Sequence, residues 1–161
     1  MAGITQAMTN SFKSDILSAG HNFNTTNRAV SSNTQDSFRI GLYSASTATI
    51  DATTTAYTNT GEITGTGYTN TGVQSTSGLA LTISAVPTLS GTSTSGGTSY
   101  INFTNASWTS ASFSADGALI WNSTNAGKSV AVLNFGGTKT VTSGTFQITF
   151  PTPTPAILQI S

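Results

Sequence analysis

The residues able to do chemistry in this chain are few and scattered. The acids are Asp15, Asp36, Asp51, Glu62 and Asp116, the only imidazole is His21, and there is no cysteine. No two of the acids have the spacing of a general acid/base pair. Any of the 23 serines could join His21 and an acid on paper, but the Gly-x-Ser-x-Gly elbow that would expose a nucleophile is missing. EF-hand spacing and a His-x-x-x-His pair are also missing, so the sequence predicts no metal and no cofactor. Asp51 and Asp116 are read as turn residues whose carboxylates bond nearby backbone. His21 is read as structural or merely exposed, beside the end of a helix. The chain is therefore expected not to be an enzyme.

Composition narrows the function classes further. The 161 residues carry five Lys/Arg and five Asp/Glu, with zero net charge. Phosphate neutralisation needs a basic patch, so nucleic-acid binding is not expected. No stretch approaches the roughly 18 apolar residues of a membrane span. The N-terminus lacks the basic-then-apolar pattern of a signal peptide, which predicts synthesis in the cytoplasm without export by that route. Ser and Thr make up roughly a third of the chain, beside 16 glycines and 14 aromatic residues. Low hydrophobicity with high net charge would suggest disorder. Here aromatics with no net charge predict a folded β protein whose surface is clad in hydroxyls. Little charge repulsion keeps such a surface monomeric.

The elements that would position these residues fall into two regions. Ile4, Met8, Phe12 and Ile16 recur every four residues, with Ala7 and Leu17 beside them. This spacing predicts an amphipathic helix of about four turns, with Gly20 as its C-cap, whose stripe either covers one end of the chain's own sandwich or docks on another subunit. Residues 1–30 are read as an N-terminal helix and arm. Residues 31–161 are read as a β-sandwich domain with an extended C-terminal tail.

From Ser37 the period becomes two. Phe38, Ile40 and Leu42 alternate with Arg39, Gly41 and Tyr43, as in a strand with one buried face. Residues 44–78 form a long Thr/Gly/Ser-rich excursion in which Tyr57-Thr58-Asn59-Thr60-Gly61 reappears as Tyr68-Thr69-Asn70-Thr71-Gly72, predicting two similar turns. Leu79, Leu81 and Ile83 alternate, and Ile101 and Phe103 follow a Gly96-Gly97 turn. Trp108 to Phe113 reads as a polar strand. The apolar runs 118–121 and 130–133 read as central strands. Asn125-Ala126-Gly127 and Gly136-Gly137 read as turns. Phe146, Ile148 and Phe150 alternate before Pro151, Pro153 and Pro155, which belong to an extended, non-central piece. Ile157 to Ile160 reads as a last short strand. The fold class is mainly β, a jelly-roll-like β-sandwich of about eight strands with an N-terminal amphipathic helix.

Several stretches together resemble a known group. They are Ser11-Phe12-Lys13 running to Leu17, Gly20-His21-Asn22-Phe23, Phe38-Arg39-Ile40-Gly41-Leu42-Tyr43 and Asp51 to Tyr57. Gly117-Ala118-Leu119-Ile120-Trp121-Asn122, Val130 to Phe135, and Phe146-Gln147-Ile148-Thr149-Phe150-Pro151 complete the set. In this order they resemble small virion proteins of tailed bacteriophages and cyanophages. The resemblance covers most of the chain and carries no catalytic motif. It implies a virion component made in the host cytoplasm.

The leading expectation is a capsid decoration (cement) protein that binds the major capsid protein at the outer shell as a dimer or trimer. Its contact residues are expected among Ile4, Met8, Phe12, Ile16, Trp108, Ile157 and Ile160, through apolar anchors and strand or arm augmentation. A tail, adaptor or fibre component is the alternative, and a carbohydrate-binding receptor module, using Trp108 and the two Tyr-Thr-Asn-Thr-Gly turns, comes third.

Overall fold

The computed structural model describes residues 2–24, 34–90, 98–151 and 158–160. The fold is mainly β. Ten strands and one short helix are present among the described residues. The strands are β1 (Gly3–Ile4), β2 (Ala7–Met8), β3 (Phe38–Tyr43), β4 (Thr49–Ile50), β5 (Leu79–Leu81), β6 (Ile83–Ser90), β7 (Thr98–Phe103), β8 (Ala106–Asn122), β9 (Lys128–Ile148) and β10 (Leu158–Ile160), and the helix is α1 (Asn10–Leu17). An antiparallel five-stranded sheet has the order β2-β9-β8-β3-β5. A second sheet has the order β10-β7-β6, and β1 pairs with β4 in parallel.

Alternation explains why β3 and the inner half of β8 are apolar nearly throughout. Ile40, Leu42, Ala118, Ile120 and Val130 join Phe12, Phe38, Ile101 and Phe103 in one core. Tyr43, Leu119, Trp121 and Val132 join Ile4, Ala48 and Ile50 in another. Neighbours along a strand point to opposite faces, so both faces of this sheet are covered. A strand buried on both sides reads as a continuous apolar run rather than as an alternation. The rings of Phe38 and Phe103, 5.7 Å apart, bring β3 against β7 of the smaller sheet.

The N-terminal segment differs from the predicted four-turn helix. Ile4 and Met8 lie in β1 and β2, and only Asn10–Leu17 is helical. A spacing of four places residues on one face of a strand as well as of a helix, so the stripe could not distinguish the two. The backbone donors decide it. Gly3 and Thr5 N–H donate to Ala48 and Ile50 carbonyls at 2.8 and 3.0 Å, and Thr9 N–H donates to Val130 O at 3.1 Å. The helix ends in a Schellman turn. Gly20 N–H donates to Asp15 O at 2.6 Å and Ala19 N–H to Ile16 O at 3.2 Å. The left-handed residue is Ala19 (φ 58°), not the predicted Gly20. Gly20 is held to small size instead, because a Cβ there would lie 3.0 Å from Asp15 Cβ.

Two further expectations change in the β8–β9 ribbon. The strands predicted at Trp108–Phe113 and Ala118–Trp121 are one strand of 17 residues. Gly136-Gly137 is a bulge inside β9, not a turn. Gly117 pairs with Asn134 and Ala115 with Lys139, so β9 spends five steps where β8 spends two. Positive φ at Gly136 and Gly137 (69° and 135°) accommodates the extra residues. Asn125-Ala126-Gly127 does form the connecting turn, with φ of 50° and 71° at its last two residues. The Gly96-Gly97 turn, Pro153, Pro155 and Ile157 lie outside the described residues.

Candidate functional site

Burial removes most of the predicted contact residues from the surface. Ile4, Phe12 and Trp108 are 7%, 1% and 4% exposed. Met8 and Ile16 are half-buried against the core that holds Phe12 and Trp108, while Ile4 belongs to the core on the other face of the sheet. The stripe of Ile4, Met8, Phe12 and Ile16 therefore packs in cis on the chain's own strands, the first of the two readings of that stripe, and Trp108 is buried in the core as well. Ile160 takes its place in β10 opposite Ser99. Leu17, at the end of α1, is the large apolar residue of this segment that faces solvent.

The acids are committed to the fold as well. Asp51 accepts Thr53 N–H and its hydroxyl, both at 2.7 Å. Asp116 accepts Ala45 N–H at 2.7 Å and the Thr138 hydroxyl at 2.5 Å. Asp51 is a turn residue, whereas Asp116 lies inside β8, not in the predicted turn, and straps Ala45 and β9 to it. These bonds hold both carboxyls below their usual pKa, the Thr53 and Thr138 hydroxyls contributing most. Asp15 pairs with Lys128 at 2.5 Å. Asp36 accepts Asn22 N–H and the Asn122 amide, both at 2.7 Å. Among the described residues no three His, Cys, Asp or Glu side chains stand together as metal ligands would. No helix among them is long and apolar enough to cross a membrane.

The densest polar cluster surrounds Glu62, which is only 7% exposed. Tyr57 and Tyr68 hydroxyls donate to its two carboxylate oxygens, each at 2.6 Å. Ser77 Oγ lies 2.8 and 2.9 Å from the same pair. The two tyrosines open the two Tyr-Thr-Asn-Thr-Gly copies, so the repeat is a device that aims two phenols at one carboxylate. That repeat was the sequence signal for the cluster, and spacing alone could not name Glu62 as its centre. Burial, and then the Glu62 carboxylate, raise the phenol pKa of Tyr57 to about 12. Burial raises those of Tyr43 and Tyr68 further.

The cluster completes the sheet where β5 stops. Tyr68 Oη accepts Leu42 N–H at 2.8 Å. Ile63 N–H donates to Leu42 O and Ser44 N–H to Gly61 O, both at 2.9 Å. Residues 61–68 thus stand in for a strand beside the outer half of β3. Arg39 fixes the far end of the excursion, bonding the carbonyls of Ser77, Thr76 and Gly78 at 2.6, 2.9 and 3.1 Å. Gly78 is required there. It has φ +65°, and a Cβ would lie 2.2 Å from Ile40 O. The arrangement fastens a loop to a sheet; its carboxylate is held by three hydroxyls and is nearly buried.

What stays open is a sheet edge. β9 has β2 beside it only at Ala131 and Val132. From Leu133 to Ile148 it has β8 on one side and no strand on the other among the described residues. This stretch carries one charge, Lys139, and is mostly exposed. Phe135, Lys139, Phe146, Gln147 and Ile148 line a shallow cavity of about 420 Å³ along it. Phe146 closes the inner side of that cavity, 5.2 Å from Phe113 and 5.9 Å from Trp108 between ring centres.

No family model, curated protein or solved structure matches this chain.

Proposed function

We propose that the chain is a structural subunit of a tailed-phage virion, a capsid decoration protein that binds the major capsid protein at the outer shell. In this reading the two larger sheets form a jelly-roll-like sandwich that serves as a rigid platform. The observation that carries the reading is the open edge of β9. Unpaired strand edges are templates for another chain, and soluble proteins usually blunt them with charge, proline or a covering element. Here 16 residues, 133–148, hold one lysine and no proline. Strand addition supplies backbone hydrogen bonds, and an adjoining apolar groove supplies side-chain contacts. Weak single contacts suffice on a symmetric shell, where repeated copies and oligomerisation to a dimer or trimer add avidity.

Two further points support an adhesive role over a chemical one. The imidazole and the carboxylates are all engaged in holding loops and turns. The neutral surface presents little repulsion to other neutral surfaces. The test is reconstitution with bare capsids. Binding that raises the capsids' resistance to heat is expected, and Thr145→Lys with Gln147→Lys, two exposed positions on the edge, should abolish it. Failure of the native protein to bind capsids overturns the reading. A few copies per particle, confined to the tail, would establish the tail, adaptor or fibre alternative instead.

A further inference from the structure

His21 is the chain's only imidazole. Its side chain is fully buried just beyond the end of α1. The ring centre lies 4.9 Å from that of Phe12, 6.0 Å from Phe23 and 6.3 Å from Phe38.

Its protonation state follows from Asn122. The Oδ1 of Asn122 accepts Thr124 and Asn125 N–H, both at 3.0 Å, which fixes the orientation of the amide. Its NH2 group must then face Asp36 Oδ2 at 2.7 Å and His21 Nδ1 at 3.1 Å. Nδ1 is therefore an acceptor, and the network assigns a neutral ring with its proton on Nε2. Nε2 has no hydrogen-bond partner among the described residues, and Asp15 Oδ2 lies 3.7 Å from it.

We infer that His21 is an acid-operated latch: a second proton on its ring breaks the bond to Asn122 and unfastens residues 20–24 and 34–37 from the β8–β9 turn. Protonation turns Nδ1 into a donor facing the donor amide of Asn122. Turning that amide relieves the clash but gives up Thr124, Asn125 and Asp36. Asp36 is in turn the acceptor for Asn22 N–H at 2.7 Å, and its own N–H donates to Asn22 O at 2.9 Å. The same turn holds Gly20 through Asn125 Nδ2 at 2.7 Å and Ser37 through Ser123 N–H at 2.8 Å. One proton thus loosens a closed circuit joining both ends of the connection between α1 and β3.

The charged groups facing the ring do not prevent this. Asp15 comes from α1, Asp36 from the stretch before β3 and Lys128 from β9; β8 and β3 present Asn122 and Phe38, which do not titrate. Asp15 is already paired with Lys128. Burial is the largest influence and lowers the imidazole pKa, against the pull of Asp15 and Asp36. The open form therefore binds the proton better. Opening is suppressed above the ordinary histidine pKa of about 6.5. Below it, opening grows by about tenfold per pH unit until the folded ring itself titrates.

The latch is independent of the proposed virion role, and amide hydrogen exchange on the full chain at about pH 7.5 and about pH 5, corrected for intrinsic rates, tests it. Residues 20–24 and 34–37 should open about tenfold more readily or better at the lower pH. At both pH values they should open far more readily than Leu119, Ile120 and Val132, which exchange only when the whole fold opens. His21→Asn keeps an acceptor where Nδ1 stands and cannot titrate, so its exchange pattern should be the same at both values. Equal protection of the native chain at the two pH values overturns the latch. So does an unchanged pH response in His21→Asn, or a nitrogen NMR spectrum of the single imidazole showing Nδ1 protonated at neutral pH. The native-chain measurements decide the matter even where the variant does not fold.

Discussion

Removing one hydroxyl, in Tyr68→Phe, should cost much more than removing its twin in Tyr57→Phe. Both phenols donate to Glu62 at 2.6 Å, so a count of bonds to the carboxylate predicts equal effects. Their other contacts differ. Tyr68 is buried and its hydroxyl is the acceptor for the N–H of Leu42, a fully buried residue. In Tyr68→Phe a hydrogen bond to a charged group goes, worth about 1.5–3 kcal/mol, and Leu42 N–H is left without a partner, costing about 1–3 kcal/mol more. The expected loss is about 3–5 kcal/mol, a large share of a typical domain's stability. Tyr57 is half-buried, so water can replace its hydroxyl, and its variant should lose about 1 kcal/mol. Trp108 and Trp121 are both buried, so their fluorescence should report urea unfolding of each variant, with unchanged m-values. Equal losses for the two variants, or a loss under about 1 kcal/mol for Tyr68→Phe, would refute the idea that residues 61–68 complete the β3 edge.

Other consequences can be checked on the same preparation. The phenols of Tyr43, Tyr57 and Tyr68 have raised pKa values in the fold, Tyr57 at about 12. The unfolded chain releases those protons first, so stability should be intact below about pH 10 and fall as pH rises above it; a flat stability profile from about pH 9 to 11.5 would contradict this. Gly78→Ala should destabilise by at least about 2 kcal/mol, since it meets both a left-handed backbone and the Ile40 carbonyl; a soluble variant with native thermal stability would be the contrary result. Trp121→Phe should lose about 1 kcal/mol with the bond from its indole N–H to Gln74 O at 2.7 Å, measured by urea unfolding followed through circular dichroism.

How much was legible depended on how many neighbours each signal needed. Phe38–Tyr43 and the run 118–121 were legible as strands because burial on one or both faces writes itself into period and composition. Ile4 and Met8 were misassigned because a four-residue spacing suits helix and strand alike, and the choice was made by Ala48, Ile50 and Val130, far away in sequence. Gly136-Gly137 was misread because the positive φ that makes a tight turn also makes a bulge. Phe12 and Trp108 were read as contact residues because sequence gives a side chain's character but not what covers it. Glu62 looked isolated because its partners Tyr57, Tyr68 and Ser77 converge only once the excursion folds back on β3. Asp51 is a turn residue as its sequence suggests, because its partner Thr53 is a close neighbour; Asp116 instead lies inside β8 and bonds Ala45 and Thr138, far away in sequence.

The polar side chains of this fold hold its loops and strands together, and in the proposed role the chain meets the capsid through the free edge of β9. Hydrogen exchange of the protein alone and bound to bare capsids tests it most directly. New protection should concentrate in residues 133–148, with the Glu62 cluster unchanged. Protection confined to another surface, with the β9 edge still exchanging freely in the bound state, would contradict it.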